Sequence, residues 1–253
     1  MAKAAVGARF GVELKDFLRF VRAPGLNPRL PGREAANGWW QDWFPTLSLG
    51  RLLQWAFLLW AINLVFLGPI AVAAAGAGGA VHRLDIHNIP WLQALLWAPV
   101  VEELVFRHGL RKPGMVWWLA PLTAVALVSG PQWWAVALVG LVLLFGWYLG
   151  SVSRTPVRWR WRRIYVGNFP WVLHFSCLLF AAMHLYNFSL NQMPYWLMPL
   201  LVLPQWVTGL VLAWLRVRRG IGAAILLHGI FNGGPLLVVW LVLNTVGDLP
   251  GAL

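Results

Sequence analysis

The sequence predicts an all-α fold, a polytopic bundle of about seven or eight transmembrane helices with its N-terminus in the cytoplasm. Three observations carry this expectation. Of the 253 residues, 60% are apolar and only 11% are charged, well below the roughly 25% charged share of a soluble domain. Apolar runs close to the length needed to cross a hydrocarbon layer of roughly 30 Å recur along the chain. The Lys and Arg residues gather in short tracts that fall in alternate connections between those runs, which is the pattern that sets orientation in a membrane.

Residues 1–50 read as a cytoplasmic N-terminal arm, too polar for the hydrocarbon, and no cleaved signal peptide is expected. Within the arm Phe10, Leu14, Phe17, Leu18 and Val21 recur at helical spacing while Arg9, Lys15, Arg19 and Arg22 take other positions. That stripe fits an interfacial amphipathic helix, or one that packs against the protein's own cytoplasmic loops, and Pro24 and Gly25 end it. Residues 51–253 form the transmembrane part. Its expected spans are Leu52 to Ala75, Trp91 to Leu110, Val116 to Val128, Trp133 to Gly150, Phe169 to Phe188, Trp196 to Leu215 and Ile221 to Val246. The last contains Gly233, Gly234 and Pro235, so it is one kinked span or two short helices.

The basic tracts are the arm, Arg111 with Lys112, Arg154 to Arg163, and Arg216 to Arg219, and the connections between them hold one cation, Arg83. A cytoplasmic N-terminus satisfies all of them. The net charge of +12 is therefore read as topology, and no nucleic-acid partner is expected because no basic stripe lies on a foldable polar domain. Nineteen Trp and 13 Phe suit rings placed at both membrane interfaces. The single cysteine, Cys177, is expected to act as a small buried hydrophobe. The expected location is an integral membrane protein of a bacterial plasma membrane, with the lipid bilayer as its first partner.

An ionisable side chain at bilayer depth costs about 2.5 kcal/mol or more, so each one is a functional hypothesis. Glu102, Glu103 and Arg107 stand in an apolar helix. Glu103 and Arg107 are one turn apart and can neutralise each other. Glu102, rotated by about 100° from Glu103, lacks such a partner, and its desolvation should favour a general-base role. Phe180 and His184 share a helical face, and so do His228 and Asn232, beside Gly229 and Gly233, which let a neighbouring helix approach closely. Along their helices Glu102, His184 and His228 lie about 15, 22 and 10 Å from the cytoplasmic ends. Side chains reaching from those depths can line one cavity. His174 is read as a core residue, His108 as facing headgroups, and His82 and His87 as loop residues.

The three groups resemble the motifs of the CPBP family, intramembrane endopeptidases that include the CAAX prenyl endopeptidases and the bacteriocin-processing proteins. E-E-x-x-x-R matches Glu102, Glu103 and Arg107; F-x-x-x-H matches Phe180 and His184; H-x-x-x-N matches His228 and Asn232. The resemblance runs from about Pro90 to Asn232, with one departure, His108 standing between Arg107 and Gly109. It implies that Glu102, assisted by His184, activates a water for attack on a peptide carbonyl. His228 and Asn232 would donate hydrogen bonds to the oxyanion, with Glu103, Arg107 and Phe180 supporting the site. The implied substrate is a membrane-associated or lipid-modified peptide, and no cofactor is required. Glu102, His184 and His228 are also a possible zinc-ligand set, although H-E-x-x-H is absent. The alternatives are a catalytically silent scaffold or regulator of the same fold, and a transporter, against which stands the lack of a repeated half-sequence.

Overall fold

The computed structural model describes residues 9–27, 39–44, 47–85, 88–152, 159–191 and 193–246. His87, Arg154 and Arg158 lie outside them. The helices in chain order are α1 (Phe10–Arg22), α2 (Trp39–Trp43), α3 (Leu49–Gly78) and α4 (Ala98–Phe106, entered through a π turn at Gln93–Trp97). There follow α5 (Val116–Ser129), α6 (Trp133–Val152), α7 (Trp159–Met183), α8 (Leu203–Arg218) and α9 (Ile221–Val246). The fold is an α-helical bundle, with one two-residue antiparallel ribbon pairing Val81 with Ser189 and His82 with Phe188.

Among the described residues four helical stretches, not seven or eight, are long and apolar enough to cross a membrane: Leu49–Gly78, Trp133–Gly150, Arg160–Asn187 and Ile221–Thr245. The other three expected spans fold as shorter pieces, and proline explains one of the breaks. The run from Trp91 gives way to 3₁₀ turns at His108–Leu110 and Pro113–Met115. The run from Trp196 splits into a turn at Met198–Leu201 and the 16-residue α8, with Pro204 at the start of the latter; proline supplies no N–H to extend a preceding helix. α5 is only 14 residues long. Such pieces need not span the layer alone when neighbouring helices enclose them, and α8 is buried at every position from Thr208 to Arg218. The long helices instead carry exposed apolar faces, with Leu64 and Val72 of α3 71% and 72% exposed and Trp133 of α6 82% exposed. Faces of that kind suit hydrocarbon rather than water, and the protein is an integral membrane protein.

α8 is the axis of the bundle and packs on α7, α9 and α1. On α1, Phe10, Leu14, Phe17 and Val21 pack against the central core; Phe17 lies edge-on to Trp55 at 5.6 Å and to Trp214 at 6.0 Å. Acidic residues of the arm meet the basic end of α8: Glu13 pairs with Arg219 at 2.6 Å, Asp16 with Arg218 at 2.9 Å, and Asp42 with Arg216 at 2.6 Å. These charges therefore tie the arm to the end of α8.

The Gly-Gly-Pro sequence does not break the last helix, because α9 runs on through Pro235. Proline removes the N–H that would serve the carbonyl four residues earlier, here that of Phe231. Trp60 Nε1 donates to that carbonyl at 2.9 Å. A Cβ on Gly234 would stand 2.1 Å from the Trp60 ring, so glycine opens the slot that the indole fills.

Candidate active site

α4 lies between two environments. Val101 and Leu104 pack with Leu119, Ala126, Val139 and Val142 of α5 and α6, whereas Glu102, Glu103 and Arg107 are buried on the side of α7 and α9. The turn that leads into α4 sets this geometry. In it the Ala98 N–H reaches the Gln93 carbonyl, five residues back. In the same register Pro99 would serve Ala94, and in an α register Leu95, but it has no N–H to give. Asn232 Nδ2 donates to the Ala94 carbonyl at 3.0 Å, and a Cβ on Gly229 would come within 2.8 Å of the Leu95 oxygen. Asn232 and Gly229 thus seat α9 on the two carbonyls that Pro99 frees.

The far end of α4 is held by side chains from α7 and α8. Ser176 donates to the carbonyl of Phe106, and Arg216 donates to those of Arg107 and His108, at 3.1 Å each. The Tyr165 hydroxyl donates to that of Leu110 at 2.9 Å. These donors meet carbonyls at and just beyond the helix end, where regular helical bonding stops. His108, expected at the headgroups, is instead buried at 3% exposure. Burial, with the Arg216 guanidinium nearby, lowers its pKa to about 3.

The Glu103 carboxylate forms the expected ion pair with Arg107. It also accepts from His228, whose Nδ1 lies 3.1 Å from Oε1. The other ring nitrogen, Nε2, faces Glu102 Oε2 at 3.7 Å, so His228 stands between the two neighbouring carboxylates. Phe180 is the wedge that spaces the site. The Arg107 guanidinium lies 3.9 Å over its ring, and its edge contacts to His184 and His228 are 4.7 and 5.8 Å. His184 Nδ1 is 2.8 Å from the Phe180 carbonyl. A carbonyl only accepts, so Nδ1 carries the proton and a neutral ring leaves Nε2 as an acceptor.

Glu102, Phe180, His184, His228 and Asn232 line one cavity of about 490 Å³. His174 does not line it, but the exposed His82 does, beyond what its loop position suggested. Sequence reasoning also missed Asn63, Gln205 and Thr208, which line the same cavity. All three are uncharged polar residues within apolar runs, which a rule confined to ionisable side chains passes over; extending it to buried amides and hydroxyls would have found them. Among the described residues no three His, Cys, Asp or Glu side chains are grouped as a metal site; His184 and His228 each use Nδ1 in a hydrogen bond, which leaves Nε2 of both rings toward the cavity, and chelation decides between zinc and a metal-free site.

Buried carboxylates and two histidines converge on a cavity inside a membrane bundle, an arrangement consistent with a membrane-embedded hydrolytic fold. The family model for "Type II CAAX prenyl endopeptidase Rce1-like" matches residues 87–234, and the chain belongs to that family, the one its three motifs resemble. No curated protein and no solved structure matches the chain.

Proposed function

We propose that the chain is an intramembrane endopeptidase that hydrolyses peptide bonds of membrane-associated or lipid-modified substrates with a water activated by Glu102. One observation carries the reading. Glu102 is 8% exposed, its Oε2 accepts no hydrogen bond among the described residues, and it lines the same cavity as both histidines and Asn232. A buried carboxylate left in that state is costly unless it has a task.

In the proposed reaction Glu102 takes a proton from water as the oxygen attacks the carbonyl carbon, while His184 Nε2 accepts the water's other hydrogen. The oxyanion accepts from His228 Nε2–H and from the second N–H of Asn232. His228 donates there when both ring nitrogens are protonated, and its charge then balances those of Glu102, Glu103 and Arg107. Collapse of the intermediate breaks the C–N bond, and the proton held by Glu102 passes to the leaving amine. No cofactor takes part in these steps. The alternating basic tracts support a cytoplasmic N-terminus; a bacterial plasma membrane is the proposed location, with peptide and bilayer as partners and no nucleic acid.

The test is hydrolysis of a farnesylated CAAX peptide, the substrate class in the family's description, by purified protein in ¹⁸O-enriched water with and without a chelator. The reading expects one ¹⁸O in the new carboxylate and an unchanged rate in chelator. Loss of activity in chelator, restored by zinc, would replace the cofactor-free mechanism, and absence of cleavage would favour a silent scaffold.

A further inference from the structure

The cavity has polar residues that the proposed chemistry does not use. Asn63 comes from the π turn inside α3, and Gln205 and Thr208 lie three residues apart on α8. Each has a buried oxygen without a hydrogen-bond partner among the described residues: Asn63 Oδ1, Gln205 Oε1 and Thr208 Oγ1. Thr208 is only 3% exposed.

Helical hydroxyls elsewhere in the molecule behave otherwise. Thr123, Ser129 and Thr245 each donate to the carbonyl four residues back, at 2.8 Å, which is the usual way for a hydroxyl to satisfy itself in an apolar helix. Thr208 does not. Asn63 gives its Nδ2 to the Leu59 carbonyl at 2.8 Å. That bond fixes the orientation of the amide and leaves Oδ1 as a pure acceptor. Buried acceptors of this kind call for donors from a ligand.

Three acceptors on a cavity wall shared with Glu102 match the backbone of a peptide, which presents an N–H at almost every residue. A hydrocarbon chain offers no such donor. Resting on the endopeptidase reading, we infer that Asn63, Gln205 and Thr208 form the subsite that accepts hydrogen bonds from the backbone amides flanking the scissile bond.

The experiment measures binding of fluorescent peptides to Glu102→Gln protein in nanodiscs, so that nothing is cleaved. The probes are peptides ending in a CAAX box, with and without a farnesyl group, either unmodified or N-methylated at one backbone amide at a time. Methylation at one or two positions should weaken binding by about tenfold, a lost hydrogen bond's worth. Adding Thr208→Val, nearly isosteric, or Gln205→Leu should weaken the unmodified peptide by about the same factor and abolish the effect of methylation at its own position. Thr208→Ser should restore it, and an unchanged melting temperature shows that the variants fold. Equal methylation penalties with and without the wall residues, or no binding of any probe, overturn the inference. Hydrolysis by protein with Glu102 intact is read in parallel. Methylation-sensitive binding without hydrolysis sinks the endopeptidase reading alone, and hydrolysis indifferent to the wall residues sinks the subsite alone.

Discussion

His228 Nδ1 lies 3.1 Å from Glu103 Oε1, a contact between residues 125 positions apart that anchors the ring from one side. Its other nitrogen faces Glu102 at 3.7 Å. The two adjacent glutamates are therefore unlike: Glu103 binds both Arg107 and His228 through Oε1, whereas the nearest cation to Glu102 is the His228 ring at 3.7 Å; Oε2 of each accepts no hydrogen bond among the described residues.

That asymmetry separates stability from activity. Glu103→Gln leaves Arg107 without its buried counter-charge and should cost about 3–5 kcal/mol. Glu102→Gln removes a poorly compensated buried charge and should leave stability unchanged or raise it. Thermal unfolding of both variants in one detergent checks this, and equal losses would show that Glu102 is structural too.

Helix contact at the freed carbonyls gives a second prediction. Gly229→Ala would press a Cβ against the Leu95 oxygen at 2.8 Å, and backbone cannot rotate away, so an overpacking cost of about 1–3 kcal/mol is expected. The displacement should also break the Asn232 bond to Ala94 and lower activity. Gly140→Ala on α6, where nothing lies within 4 Å of the added Cβ, should be neutral or stabilise by up to about 1 kcal/mol. Paired melting and activity measurements distinguish the two sites.

Arg216 binds Asp42 and the carbonyls of Arg107 and His108 together. Arg216→Met removes the 2.6 Å ion pair with Asp42 and the donors to two carbonyls, and should destabilise by about 3–5 kcal/mol. Asp42→Leu in the Arg216→Met background should recover part of that loss, since no buried carboxylate then lacks its guanidinium. A double-mutant cycle showing simple additivity would contradict the coupling.

His108 supplies a pH dependence. Its folded pKa of about 3 lies below the ordinary value of 6.5. Between these values the unfolded chain binds a proton that the folded one does not, so stability is fully present above pH 6.5 and declines as pH falls toward 3. His108→Asn should flatten the fall of melting temperature between pH 6.5 and 5 relative to the wild type, and an unchanged slope would show that the group does not contribute.

What was legible in the sequence follows the range of the interactions. The Glu103–Arg107 pair and the contact of Phe180 with His184 depend on one helical turn, and the motifs display them. The seating of α9 depends on a π turn that shifts the hydrogen-bond register before Pro99, which no apolar periodicity reveals. The Gly-Gly-Pro sequence reads as a break because its rescuer, Trp60, lies 171 residues away from Phe231. The span count came out high for a related reason. Hydropathy does not distinguish a helix facing lipid from one like α8, enclosed by its neighbours. His108 was misplaced because Arg216, which buries against its carbonyl, looked in the sequence like part of a topological charge tract.

The most direct test of the central claim is the turnover number of Glu102→Gln protein beside that of the wild type, in liposomes, on a peptide the wild type cleaves. Loss of a general base predicts a fall of about 10²–10⁴-fold at unchanged melting temperature and unchanged peptide binding. Turnover within a few fold of the wild type would contradict the assignment of Glu102.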